Sequence, residues 1–346
     1  MRMEQQLRIG TLSAARITAE ALIEPARLVP EAVVAAVAAR HRGDAEAFAA
    51  GHGIPVVHDS YEALIADPGI DAIYNPLPNS LHAEWTLRAI AAGKHVLCEK
   101  PFTSNAAEAE QVAAAARESG LVVMEAMHYR YHPLVTLIRE QLSRIAAHDG
   151  EIRHVQCHVS FPLAGLGDIR YVYALGGGAT MDAGCYAIDM LRLIGPGEPE
   201  VFCALAAEQV PDVDRAMSAY LRYPGGATAW FDVSFTQGGQ LRADVHVVGE
   251  RGQLRVQSFI HPHVRYRVTV LQAGQAEIAS SPAAGTAATG RTEATTYRYQ
   301  LRAFAAAVQH GEPFPTTPEH AVVTMSLIDD VYRAAGLPPR GLPQPL

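Results

Sequence analysis

Lysine is almost absent from this chain. Its 28 basic residues are all arginine except Lys94 and Lys100. Arginine keeps its proton in a protein, whereas lysine can lose it and so take part in proton transfer. Lys100 is the stronger candidate for chemistry, because Pro101 keeps it out of helical geometry at the end of an apolar run. A solvated loop residue is the alternative reading of a lysine before proline.

Features of several other protein classes are also missing. No apolar run reaches the roughly 18 residues that a membrane span requires. The N-terminus MRMEQQLRIG leads into a strand-like segment without the apolar core of a signal peptide. The net charge of −8 comes without a basic block, which argues against a nucleic-acid surface. We expect a cytoplasmic protein with neither a membrane nor a nucleic acid as partner.

Cysteine is scarce as well. The four cysteines form no CxxC pair and have no His/Cys spacing that suits zinc. We therefore expect free, buried thiols and no metal site.

The chain is long enough for two domains, and its first 125 residues have a repeating pattern. Short apolar runs alternate there with helical segments, which predicts βαβ units and a doubly wound parallel sheet. A ligand is expected at the carboxyl ends of such strands. The runs are LRIG (7–10), AVVAAVAA (32–39), PVV (55–57), DAIYN (71–75), HVLCE (95–99) and LVVME (121–125).

The second part of the chain has longer strand-like runs joined by hairpin signals such as YPGGA and GERGQ. Helices are predicted at 132–147 and 179–194, and two more end the chain. The segment 273–296 is rich in small residues and is expected to be a loop. We predict an α/β protein with a Rossmann domain at 1–125. An α/β domain at 126–346, with an open and mostly antiparallel sheet, would bind substrate and form oligomers, and the C-terminal helix could pack back on the first domain.

The stretch LRIGTLSAARIT (7–18) lies where a nucleotide-binding enzyme has its phosphate loop. A helix N-terminus there offers free N–H groups to a phosphate. The fingerprint glycines are replaced by Ser13, Ala15 and Thr18, and Gly10 is the only glycine. A purely structural turn is an equal alternative.

Three basic residues follow the second run, where NAD enzymes usually have an acid. In VAARHRGD these are Arg40, His41 and Arg42, with no acid until Asp44, and they favour the 2′-phosphate of NADP, with NAD still possible. An exposed loop that happens to be basic is the alternative.

A polar helix face follows three glycines in GGGATMDAGCYAIDMLRLI. Asp182, Tyr186 and Asp189 have the spacing i, i+4 and i+7, which predicts one shared face. Such a face is suited to meet a substrate, although Asp189 and Tyr186 also fit a structural reading.

Several motifs together resemble the glucose–fructose oxidoreductase/inositol dehydrogenase (Gfo/Idh/MocA) family over nearly the whole chain. They are CEKPF, NPLPNSLH, EAMHYRYHP and GGGATMDAGCYAIDMLRLI, in this order. The resemblance implies a Rossmann domain, an open-sheet domain, and hydride transfer between NAD(P) and a sugar, polyol or related carbinol. Tyr186 stands where many members have histidine. This is more similar to the branch of dimeric dihydrodiol dehydrogenase and NADP-dependent D-xylose 1-dehydrogenase.

The resemblance also implies roles for individual residues. Lys100 and Tyr186 match the branch's catalytic pair, with either as the proximal base, and Asp182 would join them as a substrate ligand or orienter. The implied substrate-binding residues are Tyr129, Arg130, Arg170, Asp182 and Tyr186. The implied cofactor-binding residues are Gly10, Ser13, Ala14, Ala15, Arg16, Ile17, Arg40, His41, Asn75, Pro76, Leu77, Asn79, His82, Glu99 and Lys100.

We therefore expect an NADP(H)-dependent oxidoreductase of the aldose 1-dehydrogenase or dihydrodiol dehydrogenase type. An apolar patch on the open sheet face would make it a homodimer, with a tetramer also open. Two other classes compete with the enzyme: a non-catalytic NADP-binding sensor or co-regulator, and a structural assembly protein.

Overall fold

The computed structural model describes residues 6–163, 165, 167–236, 241–272, 275–280 and 295–341. The chain forms two compact units. The first unit comprises residues 1–131 and 293–323, and the second comprises 132–292 and 324–346. The fold thus divides after Tyr131 and assigns the segment from Glu293 to Val323 to the first unit. The functional boundary between 125 and 126 stays a prediction.

The first unit contains a six-stranded parallel sheet with the order β3-β2-β1-β4-β5-β6. All six predicted strands are present, which confirms the Rossmann prediction. The apolar runs form strands because they are buried between layers of helices. Their bounds are β1 Leu7–Leu12, β2 Ala32–Ala38, β3 Val56–Val57, β4 Ala72–Asn75, β5 His95–Cys98 and β6 Val123–Glu125.

Helices connect these strands, and glycines follow the last residues of two of them. Gly93 has φ +76° and Gly120 has φ +66°, the left-handed geometry that ends a helix. The Asn105 side chain accepts from the Glu108 N–H (3.0 Å) and caps the helix Ala106–Ser119. The helices are α1 Arg16–Thr18, a π turn Ala19–Ile23, α2 Glu24–Ala26, α3 Arg42–His52, α4 Tyr61–Ala66, α5 His82–Ala91 and α6 Ala106–Ser119.

A helix from late in the chain completes the core of the first unit. In α9, Thr296–His310, the side chains of Leu301 and Phe304 are fully buried in the same apolar cluster as Ile9 and Val37. The next helix, α10 (Pro318–Ala334), is divided between the two units at Val323 and Thr324.

The second unit contains an eight-stranded sheet with the order β14-β13-β12-β11-β7-β10-β9-β8. Among the described strands of this second sheet, only β7 and β10 pair in parallel. The sheet is therefore mostly antiparallel, as predicted. The strands are β7 Ile152–Pro162, β8 Glu200–Val210, β9 Val213–Arg222, β10 Thr228–Thr236, β11 Arg242–Gly249, β12 Gly252–Gln257, β13 Arg267–Gln272 and β14 Gln275–Ser280.

Two of these strands were not predicted. The strand β8 lies at a sheet edge and carries exposed apolar residues, so it lacks the alternating pattern of a half-buried strand. The strand β14 lies at the other edge, within the segment 273–296 that was expected to be a loop. That expectation is wrong for residues 275–280, while 273, 274 and 281–294 lie outside the described residues.

Helices α7 (Pro133–Asp149) and α8 (Cys185–Ile194) pack against one face of this sheet. The opposite face is open and differs from the expected continuous apolar patch. Exposed apolar side chains lie on its β8 and β9 edge, at Phe202, Leu205 and Tyr220. The centre is a depression of about 700 Å³ lined by both apolar and polar groups, which include Trp230, Gln156, His158, Asp232, Arg242, Asp244, His246, Arg255 and Arg267.

Two expectations about composition can be checked directly. Cys98, Cys157 and Cys185 are buried free thiols, but Cys203 is exposed on β8, so the expectation is wrong for that residue. No helix within the described ranges is long and apolar enough to cross a membrane.

Candidate functional site

The predicted cofactor residues lie together at one edge of the parallel sheet. Neighbouring parallel strands end at the same edge, and β2, β1, β4 and β5 are neighbours. The strands and the segments after them carry the candidates from all four motifs: Gly10 within β1, then Ser13, Ala14, Ala15, Arg16 and Ile17 after it, Arg40 and His41 after β2, Asn75 at the end of β4 with Pro76, Leu77, Asn79 and His82 after it, and Glu99 and Lys100 after β5.

The loop after β1 has the backbone geometry of a phosphate site despite its missing glycines. Ser13 takes up φ +77°, a conformation that glycine usually supplies, and its N–H donates to the Ala38 carbonyl (2.6 Å). Ala14 and Ala15 stand half-buried just before the first helical turn, and their N–H groups have no acceptor among the described residues. These donors fit a pyrophosphate oxygen.

Gly10 serves packing. A Cβ at this position would lie 2.5 Å from Leu64 Cδ2 and 3.3 Å from Ile70 Cγ2. The glycine therefore lets α4 approach β1, and its side facing Leu64 is not available to a ligand.

The two arginines that follow β2 differ in their contacts. Arg42 is bound to Glu46 (2.7 Å) and also contacts Asp59. Arg40 is exposed and has no ion pair within the described part of the chain, and His41 precedes α3 as its N-cap residue. Arg40 and the N-terminus of α3 thus provide a cation and free N–H groups for a phosphate.

Tyr61 contacts both of these loops, and no motif in the sequence pointed to this residue. Burial raises the pKa of its phenol, while hydrogen bonds to the Arg40 backbone and the Ser13 side chain act in the opposite direction. The ring packs edge-on against Trp85 at a centroid distance of 4.9 Å. Tyr61 therefore forms a wall beside both loops.

The loop after β4 is fixed by its own polar side chains. Asn75 is fully buried and donates through Nδ2 to the His82 carbonyl and to Thr86 Oγ1, both at 3.1 Å. Its Oδ1 accepts from the Leu77 N–H at 3.4 Å. The side chain of Asn75 thus shapes the loop, and only its neighbours in the loop remain candidates for direct cofactor contact.

His82 connects the third loop to the fourth. Its Nε2 lies 2.7 Å from the Leu77 carbonyl oxygen and its Nδ1 lies 2.8 Å from the Pro101 carbonyl oxygen. Burial lowers the pKa of this imidazole to about 4, and it outweighs the hydrogen bonds to the Pro101 and Leu77 carbonyls, which act in the opposite direction. The ring is buried among protein atoms, so its part in the site is to hold the two loops together.

The loop after β5 presents Lys100 through a network of buried groups. The Glu99 carboxylate accepts from the Tyr74 hydroxyl (2.8 Å) and from the Lys100 N–H (3.2 Å). Burial, and then the Glu99 charge, raise the pKa of Tyr74 well above its ordinary value. Lys100 is half-buried and precedes a cis Pro101 peptide.

The other lysine has a structural role. The Lys94 ammonium is buried and donates to the carbonyls of Asp67 (2.8 Å) and Ile70 (2.6 Å), which closes the turn before β4. The scarcity of lysine drew attention to Lys94 and Lys100 alike, but Lys94 binds the backbone of a turn, and only Lys100 remains a candidate for chemistry.

Two predicted substrate residues, Tyr129 and Arg130, lie in a short 3₁₀ turn, His128–Tyr131, and both are buried in the first unit. The contacts that hold the segment before this turn were not predictable from the motifs. Glu125 accepts from the Phe102 N–H (3.0 Å), and Thr316 donates to the Glu125 carbonyl (2.8 Å).

The remaining candidates lie in the second unit, around the start of α8. Arg170 Nε donates to Asp182 Oδ2 at 2.7 Å, and its NH1 contacts Asp168 at 3.2 Å. The charge of Asp182, followed by that of Asp168, raises the pKa of Arg170. Two of the predicted substrate residues thus form one ion pair, with a half-buried carboxylate fixed in orientation.

The helix that carries Tyr186 begins with a π turn, which the spacing did not predict. Thr180–Gly184 is π-helical and α8 follows from Cys185. A π turn contains more residues than an α turn, because its hydrogen bonds run from i to i+5, so α-helical spacing does not place Asp182 on one face with Tyr186 and Asp189. Tyr186 and Asp189 are both buried, at 3% and 0% exposure, whereas Asp182 keeps part of its surface.

The three glycines before this helix allow close packing. A Cβ on Gly177 would lie 2.6 Å from the Arg170 carbonyl oxygen. Gly178 has φ +135°, and a Cβ there would lie 2.6 Å from the Tyr332 hydroxyl and 3.0 Å from Arg340. A buried cluster of Asp214, Tyr332 and Arg340 thus packs against the start of the helix, and sequence reasoning missed it entirely.

No group of three or more His, Cys, Asp or Glu side chains suited to a metal ion is present among the residues that the structure describes.

Comparison with known proteins matches two family descriptions to this chain. Residues 8–127 match "Oxidoreductase family, NAD-binding Rossmann fold". Residues 146–255 match "GFO/IDH/MocA C-terminal domain". The two matches fall on the two parts of the chain for which the sequence predicted these folds.

Two curated relatives come from the branch that the motifs resembled. D-xylose 1-dehydrogenase (NADP(+)) 2 of Haloferax volcanii is 36% identical over 330 residues, which are 94% of this chain and 96% of the relative. Trans-1,2-dihydrobenzene-1,2-diol dehydrogenase of Sus scrofa is 36% identical over 254 residues, 72% of this chain and 74% of the relative.

One solved structure is similar over almost the full length. It is a 3-ketoreductase from Actinomadura kijaniata in complex with NADP and TDP-benzene. It superimposes with a TM-score of 0.83 at 31% identity and covers 95% of this chain and 98% of its own. These similarities confirm the predicted fold class.

Proposed function

The chain belongs to the Gfo/Idh/MocA oxidoreductase family, and on that premise we propose that it is an NADP(H)-dependent oxidoreductase of sugars or related polyols. It would transfer a hydride between the nicotinamide and a carbinol or carbonyl carbon, as an aldose 1-dehydrogenase or a dihydrodiol dehydrogenase. The observation that carries this proposal is the full-length similarity to an NADP-dependent xylose dehydrogenase.

The preference for NADP is supported by the loop after β2. Arg40 is an exposed guanidinium without an ion pair in the described residues, next to the N-terminus of α3. A guanidinium fits a phosphate through two parallel hydrogen bonds, and an uncharged ribose hydroxyl would gain little from it. The N–H groups of Ala14 and Ala15 would hold the pyrophosphate.

The proton-transfer step is assigned to Lys100 and Tyr186. The bound nicotinamide supplies the hydride acceptor or donor. In the oxidative direction Tyr186 accepts the hydroxyl proton of the substrate, and the Lys100 ammonium favours the phenolate because opposite charge stabilises it. In the alternative assignment, Lys100 rather than Tyr186 accepts the proton of the substrate hydroxyl.

Asp182 is proposed to bind a substrate hydroxyl. Arg170 and Asp168 fix its orientation, and its remaining exposed surface faces out of the ion pair. A carboxylate held in this way can accept a hydrogen bond from a sugar hydroxyl without losing its charge. Arg170 is proposed to act mainly through Asp182.

A substrate screen tests the function. The purified protein is incubated with NADP⁺ or NAD⁺ and a panel of aldoses, polyols and cyclic dihydrodiols, and formation of the reduced cofactor is followed by absorbance. We expect steady turnover of at least one panel member, with NADP⁺ preferred. Tight NADP binding without any turnover would instead support the cofactor sensor, and no binding of either nucleotide would support an assembly protein.

We also propose a homodimer formed through the open sheet face. The exposed apolar side chains of Phe202, Leu205 and Tyr220 support it, because such side chains on one strand pair favour a partner. A cytoplasmic location stays a prediction.

A further inference from the structure

We propose that Asp214 and Arg340 are positioning residues for the helix that carries Asp182 and Tyr186. This inference rests on the proposed function, because it assigns the cluster a part in the work of Tyr186. Asp214 and Arg340 lie outside the segment that carries Asp182 and Tyr186, and Arg340 lies near the C-terminal end of the sequence.

The first step concerns the missing cap of this helix. Ala179 at the N-cap position supplies no side-chain hydrogen bond to the turn Thr180–Gly184. Asp214, at the start of β9, caps the helix instead. Its Oδ2 accepts from the Thr180 N–H and from the Thr180 hydroxyl, both at 2.7 Å. A carboxylate at a helix N-terminus is favourable because it meets the positive end of the helix dipole.

The second step concerns charge. Asp214 and Arg340 are both completely buried, and Arg340 NH2 lies 3.1 Å from Asp214 Oδ1. The Tyr332 hydroxyl donates to the same oxygen at 2.9 Å. The carboxylate thus receives four hydrogen bonds, which compensates its removal from water and leaves it a single orientation.

The third step connects the helix to the segment that carries Arg170. Arg340 Nε donates to the Gly177 carbonyl at 2.7 Å, and the Gly178 N–H donates to the Arg170 carbonyl at 2.9 Å. Arg340 therefore binds both sides of the junction, Gly177 directly and Thr180 through Asp214. The distance between Arg170 and Asp182 is set by these two attachments.

The cluster has little freedom to adjust. The Arg340 guanidinium lies over the Tyr332 ring at 4.0 Å and near the Tyr173 ring at 5.0 Å. Gly178 admits no side chain beside it. Any change in these contacts is therefore transmitted to Thr180, and from there along less than two helical turns to Tyr186.

The test uses a pair of variants at Thr180 in the full-length protein. Thr180→Ala removes one bond to Asp214, and Thr180→Ser keeps the hydroxyl and serves as the matched control. We expect Thr180→Ala to lower kcat about 10-fold to 100-fold, because small misplacements of reacting groups are costly. The dissociation constant of NADP should not change, and Thr180→Ser should restore most of kcat. Arg340→Lys, which keeps the charge but loses the planar fork, should act like Thr180→Ala.

A second measurement keeps the inference independent of activity. Backbone hydrogen exchange of residues 180–186 should become faster in Thr180→Ala and in Arg340→Lys, and should stay slow in Thr180→Ser. Unchanged exchange in this helix would overturn the inference even if the wild-type protein turned over no substrate. A lowered melting temperature with wild-type kcat, KM and pH profile would also overturn it, because the cluster would then only stabilise the fold.

Discussion

At the scale of single residues, existing hydrogen bonds decide which predicted site residues remain available to a ligand. Lys94 has its donors taken by two carbonyl oxygens, and Asn75 has both ends of its amide bound within the loop. His82 lies between two further carbonyls. Residue type and motif position drew attention to all three residues. Only their contacts in the folded protein show that they hold the surrounding backbone in place.

His82 leads to a prediction about pH. Its pKa in the folded protein is about 4 against 6.5 for an ordinary histidine, so as the pH falls protons bind the unfolded chain first. The stability that depends on the neutral ring is complete above pH 6.5 and is lost as the pH falls to about 4. At ~1.4 kcal/mol per unit the loss amounts to about 3 kcal/mol.

Urea unfolding of the wild type and of His82→Gln across this pH range measures the effect. The free energy of unfolding should fall more steeply in the wild type than in the variant, since the other histidines titrate in both. Parallel pH profiles would show that His82 is not held neutral in the folded state.

At the scale of elements, the sequence predicted the strands of the parallel sheet and the edge at which its loops meet. It did so because a strand buried on both faces is a continuous apolar run, and because parallel strands end together. It did not predict the π turn before Cys185, because the five residues of this turn are too few to show a change in apolar period. The edge strand β8 was not predicted because it lacks the alternation of a half-buried strand.

The loop after β2 gives the element-scale prediction. Arg40→Ala should weaken NADP binding about 10-fold to 100-fold, the usual contribution of a charged hydrogen bond to a phosphate, and should leave NAD binding unchanged. Arg42→Ala is the matched control, because Arg42 is already held by Glu46 and Asp59. Calorimetric titration with both nucleotides measures the two affinities. Equal losses for NADP and NAD in Arg40→Ala would contradict a role at the 2′-phosphate.

At the scale of the whole molecule, contacts between distant parts of the chain determine what local patterns cannot predict. Helix α9 completes the core of the first unit although it begins 165 residues after Tyr131, and Arg340 reaches the junction of Gly177 and Thr180. An arginine in the segment LPPRGLP has no local feature that indicates burial. The close packing at Gly177 and Gly178 became visible only in the folded structure.

The open face gives the molecular-scale prediction. Leu205 is 77% exposed, so Leu205→Asp leaves the core intact while placing a charge on the proposed dimer face. We expect the wild type to elute from gel filtration as a dimer at micromolar concentration and Leu205→Asp to elute as a monomer. Val264→Asp, in the loop before β13 and 58% exposed, is the control and should stay dimeric. A monomeric wild type would contradict the proposed interface.

The assignment of Lys100 to proton transfer is the central claim, and the second lysine of the chain provides its control. Turnover and NADP binding are measured for Lys100→Met and Lys94→Met with a substrate from the screen. Lys100→Met should lose ~10²–10⁴-fold in kcat and still bind NADP, because a proton-transfer group contributes that much to the rate. Lys94→Met should lose stability and keep its kcat. Turnover of Lys100→Met within a few-fold of the wild type would contradict the account.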